Sequence, residues 1–267
     1  MGMSPTSTEL LAAVERSPRA AGAHDRDGWV GLFASSGTVE DPVGSRPHSG
    51  RAQIERFYDT FIGPRDITFH RGADVVAGAA VIRDLTLEVR MGSTVTMMIP
   101  AYLRYDLDAD LKIVRLQAFW ELPAMVWQFV RSGVGALPAG VQLSRALVRN
   151  QGLAGTAGFL SGFGGLGGRW RRQLAGFLDD ACAGDEVAVR RRLTDATLIT
   201  RGDTDRMGTS ELAAMLAGAR WDGMIRAGRH VAARVTKNGH RGVLFGEFES
   251  RPTRIRTVRV FAEDGWT

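Results

Sequence analysis

The chain has 267 residues with 44% hydrophobic and 24% charged positions, an ordinary balance for a globular protein and a length that suits two domains better than one. The formal charge is +5, and the 34 basic residues are almost all arginine, Lys112 and Lys237 being the only lysines. That bias fits a GC-rich genome such as an actinobacterium's. Without a basic stripe interleaved with aromatics it offers no nucleic-acid surface.

Between Met1 and Arg16 no positively charged segment leads into an apolar run, so no secretory signal is visible and the cytoplasm is the expected location. Leu10, Leu11 and Val14 mark a first helix, which Pro18 interrupts or restarts. Trp29, Leu32 and Phe33 are expected in a short second helix. It leads into a strand ending at Thr38-Val39-Glu40-Asp41, before the turn Pro42-Val43-Gly44. Past Gly50-Arg51, the residues Ile54, Phe57, Tyr58 and Phe61 recur at i, i+3, i+4 and i+7, predicting a third helix with one inward apolar face. Strands are predicted over 67–69, 80–91, 94–105 and 112–120. Met91-Gly92-Ser93 is read as a tight turn and Asp108-Ala109-Asp110 as a looser one. Helices followed by a curved antiparallel sheet make an α+β domain.

Residues 123–170 differ in kind. Met125, Val126, Phe129 and Val130 form one apolar helical face, and 152–168 carries no charge but much glycine. Seventeen such residues fall short of a membrane span. Flanked by Arg149, Arg169, Arg171 and Arg172, they could lie in a membrane interface. A glycine-rich connector packed on the domains is the simpler reading. Residues 171–267 repeat the first half in outline, with Ala196–Thr200 standing where Gly37–Asp41 stood and Thr200 in place of the acid. Asn238-Gly239 is a strong hairpin signal. The chain ends after a strand over 254–262, so this second domain is expected to lack the last strand. The sheet edge left open there would recruit a partner, and the apolar connector would otherwise expose a patch, which together favour a homodimer or a peripheral membrane contact.

The Val39-Glu40-Asp41-Pro42 to Phe57-Tyr58 segment, together with Leu116-Gln117-Ala118-Phe119-Trp120, resembles the ketosteroid isomerase branch of the NTF2-like (SnoaL-like) superfamily over about the first 120 residues. The resemblance implies a cone-shaped fold for residues 1–122, and the repeat in outline makes 171–267 a degenerate second copy, joined by the connector over 123–170. The resemblance also implies a hydrophobic, steroid- or polyketide-like ligand and isomerase activity with no cofactor. Asp41 falls on the general base and Tyr58 on a supporting catalytic tyrosine. Leu116, Ala118 and Trp120 fall on the pocket lining, to which the inward helix face adds Phe57. Such enzymes hold the developing oxyanion with a tyrosine and a protonated aspartic acid. Those two positions are Ser17 and Ala101 here, and one lost donor commonly costs about 10²–10³ in rate. Ser17, Tyr58 and Tyr102 are the remaining donors that could substitute.

Other groups are weaker candidates. His70 reads as a wall or surface residue and His48 as a solvated loop residue. Asp84, Glu88 and Arg90 share one strand face, a solvated one. Arg83 points the other way and could join Asp41 in an Asp–Arg–Asp set of the epoxide-hydrolase kind. Cys182 is the single cysteine, which excludes an internal disulfide and a cysteine-based zinc site. No phosphate-cradling glycine loop occurs. A non-catalytic steroid- or lipid-binding protein remains the alternative to an isomerase.

Overall fold

The computed structural model describes residues 5–91, 95–121, 169–249 and 254–266. The connector, with its apolar helical faces and glycine run, and the 92–94 turn lie outside the described residues. The chain forms two compact units, each built round a six-stranded sheet.

In the first unit α1 (Ser7–Gly22) opens with a capping box, Thr6 and Glu9 satisfying each other's backbone N–H. It buries Leu10, Ala13, Val14, Ser17 and Ala21 and runs straight through Pro18, contrary to expectation. The buried face continues past the proline to Ala21, and the packing of the whole helix opposes the proline's propensity cost of about 3 kcal/mol. Helix α2 (Arg26–Val30) is capped by Asp25, whose carboxylate accepts from the Gly28 N–H. It stops earlier than predicted because Phe33 is taken into β1 (Phe33–Glu40), where it pairs with Ile113. Gly37 lies at an irregularity of that pairing, and a Cβ there would come within 2.9 Å of the Ala34 carbonyl.

The short β2 (His48–Ser49) leads to α3 (Arg51–Phe57), which continues as a π-helical stretch over Tyr58–Ile62. This wider winding buries Thr60 and Ile62 along with Tyr58 and leaves Phe61 only partly buried. Long strands follow: β3 (Asp66–Ala77), β4 (Ala80–Met91), β5 (Val95–Leu107) and β6 (Ile113–Phe119), in the order β2-β1-β6-β5-β4-β3. Strands β1 with β2, β4 with β5 and β5 with β6 pair antiparallel, while β1 with β6 is parallel and joins the unit's first and last long strands.

The inner face of β5 carries Ala101, Leu103 and Tyr105, and Tyr105 reaches Ser17 of α1. Beneath it, Arg83 is 2% exposed and holds Asp74 through two hydrogen bonds of 2.8 and 3.0 Å, with Glu15 at 2.9 Å. Arg83 is thus a structural cation of the helix–sheet interface, and its ion pairs do not include Asp41, so the Asp–Arg–Asp set is not formed.

The second unit repeats the series. Helices α4 (Arg169–Cys182) and α5 (Glu186–Arg192) precede β7 (Leu198–Arg201) and β8 (Asp205–Arg206). Then come α6 (Thr209–Leu216), β9 (Arg220–Ala227), β10 (His230–Lys237), β11 (His240–Glu249) and β12 (Arg254–Ala262). Leu174, Phe177, Leu178 and Ala181 line the buried face of α4. Asn238 and Gly239 both take positive φ in the β10–β11 turn, as their sequence requires.

The sheet order, β8-β7-β12-β11-β10-β9, matches that of the first unit strand for strand. The expectation of a missing last strand is therefore wrong. It overlooked β9, a largely exposed edge strand interrupted by Gly223, whose alternation is weak. Strand β12 lies between β11 and β7, so it offers no open edge to a partner.

Replacing Asp74 by Asn leaves a buried Arg83 with only Glu15 as counter-charge, so the first unit should lose about 3 kcal/mol of stability. Urea unfolding of wild type and variant followed by circular dichroism measures it.

Candidate functional site

Parallel pairing sets Thr38, Val39 and Glu40 beside Arg115, Leu116 and Gln117, and the Val43 N–H extends the contact by donating to the Ala118 carbonyl. The two strand ends therefore arrive together. Glu40 is fully engaged: Gly44 N–H donates to Oε1 at 2.8 Å and Gln117 Nε2 to Oε2 at 2.7 Å. Asp41 is placed differently. Trp120 Nε1 donates to its Oδ1 at 2.6 Å, while Oδ2 has no hydrogen-bond partner among the described residues. Burial raises the carboxyl from the ordinary aspartate value of 3.8 to about 6, against the lowering effects of the Trp120 bond and the Arg65 charge.

Arg65 is a residue that sequence reasoning passed over. It follows the Gly63-Pro64 stop of the π-helical stretch and is 8% exposed. Its Nη1 donates to the Thr60 and Phe61 carbonyls at 2.7 and 2.6 Å, satisfying acceptors that the helix end leaves open. Burial holds the guanidinium below its usual range, at about 10, and the Asp41 charge works the other way. A basic residue just past a helix stop is a readable capping signal; its inward direction is not readable from sequence.

The other predicted site residues divide. Leu116 and Ala118 lie in register with Tyr105 and Leu103 of the inner face, and Trp120 continues that face to Asp41. Phe57 is buried in an aromatic cluster with Trp29, Phe61 and His48 at ring separations of 6.1, 5.1 and 5.2 Å. Tyr58 also packs on Trp29, its buried hydroxyl without a hydrogen-bond partner among the described residues. Burial raises its phenol; the charges acting on it are Asp25, Arg26 and Asp59, and Asp41 is not among them.

Ser17 is buried and accepts from Trp29 Nε1 and Tyr105 Oη at 3.2 and 3.4 Å. Tyr102 pairs with Phe119 and lies on the strand face opposite Tyr105, away from Ser17. His48 belongs to β2 and packs on Phe57, and burial pushes its imidazole down to about 4, so it is not the solvated loop residue expected. His70 is half-exposed and bonded to Glu88, as a surface residue. In the second unit the Thr200 hydroxyl donates to the Gly202 carbonyl. Among the described residues no group of three or more His, Cys, Asp or Glu could hold a metal ion, and no helix is long and apolar enough to cross a membrane.

The SnoaL-like domain family matches residues 14–116. A steroid Delta-isomerase of Nocardioides simplex is 32% identical over 120 residues, which is 45% of this chain and 96% of that protein. Among solved structures, a Delta 5-3-ketosteroid isomerase from Mycobacterium sp. is 28% identical, with 43% of this chain and 95% of that chain covered and a TM-score of 0.41. An LEH-like epoxide hydrolase of M. tuberculosis is 20% identical, with 50% and 98% covered and a TM-score of 0.44. The chain belongs to the ketosteroid-isomerase-like, SnoaL-like branch of the NTF2-like superfamily.

Because the Asp41 carboxyl binds its proton more tightly in the folded chain than in the unfolded one, its ionisation costs stability as pH rises through about 6. Asp41→Asn should therefore unfold at higher urea than wild type at about pH 8, by about 1–3 kcal/mol, and lose that advantage below about pH 4. Paired urea titrations at the two pH values give the difference.

Proposed function

We propose that the first unit binds a hydrophobic, steroid- or polyketide-like molecule and that Asp41 is the general base of an isomerisation of the ketosteroid type. Oδ2 takes the proton from the carbon between a ketone and a double bond. The C–H electron pair forms the enolate double bond and the carbonyl pair moves onto oxygen. The proton then returns to the far carbon of the former double bond, giving the conjugated ketone. The observation that carries this reading is the Trp120–Asp41 bond, which holds one carboxylate oxygen and leaves the other open. A carboxyl at about 6 is a stronger base than an ordinary aspartate and is still mostly ionised at neutral pH. The likeness to a steroid Delta-isomerase over 120 residues supports it. Leu116, Ala118, Trp120 and Phe57 would bound the apolar part of the ligand, with Tyr58 in support.

A second reading, binding without turnover, is favoured by Ala101 and by Ser17, whose hydroxyl already accepts two core donors. In either case we divide the chain as 1–122, 123–170 and 171–267. The last part is a non-catalytic copy, since a threonine at 200 cannot accept a carbon-bound proton. Wild type should convert a 3-oxo-Δ5-steroid to its conjugated isomer, with a rate that rises with pH about a midpoint near 6. Asp41→Asn should lower it about 10²–10⁴-fold. Ultraviolet absorbance of the enone follows both. Ligand binding with no turnover in wild type would select the second reading.

A further inference from the structure

The first unit holds two buried arginines that differ in one respect. Arg83 has its Nε, Nη1 and Nη2 atoms all committed to Asp74 and Glu15. Arg65 spends Nη1 on two backbone carbonyls, and its Nε and Nη2 have no hydrogen-bond partner among the described residues. Its guanidinium lies over the Phe61 ring, 5.9 Å from the centroid. The guanidinium is mostly buried while its Nε–Nη2 edge remains uncommitted, so that edge is free to donate to an acceptor on a ligand. The charge nearest in effect is Asp41, yet the two form no ion pair. Neither that Arg65 edge nor Asp41 Oδ2 is among the fully buried atoms that lack a partner, so both stay accessible to a ligand.

We propose that Arg65 is the oxyanion-binding residue of this chain, its Nε–Nη2 edge receiving the carbonyl oxygen of the ligand and holding the enolate charge. This rests on the reading of the first unit as a proton-transfer site and supplies what Ser17 and Ala101 do not. Arg65 Nε–H and Nη2–H donate to the oxygen throughout. Charge grows there as the proton passes to Asp41 Oδ2 and leaves again when the proton returns to carbon. The ligand class narrows accordingly to molecules carrying an oxo or enolisable group at the end that meets Arg65.

A naphtholic steroid tests this, because its naphtholate mimics the enolate and its absorbance reports ionisation. In an Asp41→Asn background, which mimics the protonated base, the probe should bind largely as naphtholate. Adding Arg65→Gln should weaken binding at least about tenfold and raise the ionisation midpoint of the bound probe. Arg65→Gln keeps a donor for the Thr60 and Phe61 carbonyls, and Arg65→Lys should restore part of the affinity. The methyl ether of the probe, which cannot ionise, should bind equally with and without Arg65→Gln.

Should Arg65→Gln fail to fold, Arg65→Lys in the Asp41→Asn chain decides, since it keeps the charge but not the two-donor edge: it should bind the naphthol more weakly than Asp41→Asn alone and shift its ionisation midpoint, while the ether binds equally to both. Equal affinity and an unchanged ionisation midpoint would overturn the role of Arg65 and leave the ligand site standing. Absence of binding by every form, wild type included, would overturn the site and the role of Arg65 together.

Discussion

Everything proposed for this chain depends on one piece of backbone pairing, the parallel ladder between the first and last long strands of the first unit. It brings the Trp120 indole N–H to the Asp41 carboxylate, 79 residues away in sequence. A parallel pair cannot be made by a hairpin and needs a long crossover; here the crossover is the whole of β2 to β5. The position of Asp41 is therefore a property of the complete sheet. The neighbouring Glu40 shows what the ladder does otherwise, since its carboxylate is consumed in tying the turn to Gln117 and the Gly44 N–H.

The unit deals with buried charge in two ways. At Arg83 the arginine, an aspartate and a glutamate from α1 neutralise one another, and the cluster knits helix to sheet. At Arg65 and Asp41 burial works against the charged form of each, with only partial relief from the other. Desolvation without pairing costs stability and raises reactivity, because a poorly solvated carboxylate gains most from taking a proton. The two arrangements occur in the same small domain, so the unpaired one is no general feature of its packing.

The second unit sharpens the point. It carries the same element order and the same strand order, including its own parallel closure between β7 and β12. At the strand end it has Thr200, bonded to the Gly202 carbonyl, where the first unit has an acid. Fold and chemistry are thus separable within one chain: the sheet is specified twice, and the acid at the strand end once.

The sequence by itself determined the α+β class, the doubled organisation and the acid at the end of β1. These rest on local signals: the apolar periods of α1 and α4, the alternation along β4 and β5, the Asn238-Gly239 turn, and an aspartate before a Pro-Gly turn. It was less informative where long-range contact overrides local preference. Helix α1 continues through Pro18 because its buried face extends past it. Phe33 leaves the second helix for the sheet, and the polar edge strand β9 shows no clear alternation.

Only the tertiary structure decided which arginine keeps Asp41 company and which is a structural cation. Both are arginines beside apolar residues, and sequence spacing carries no information about which buried group finds a partner. That choice depends on where strands and helix ends meet in three dimensions. It fixes the solvation and charge around each group, and with them the chemistry the site can perform.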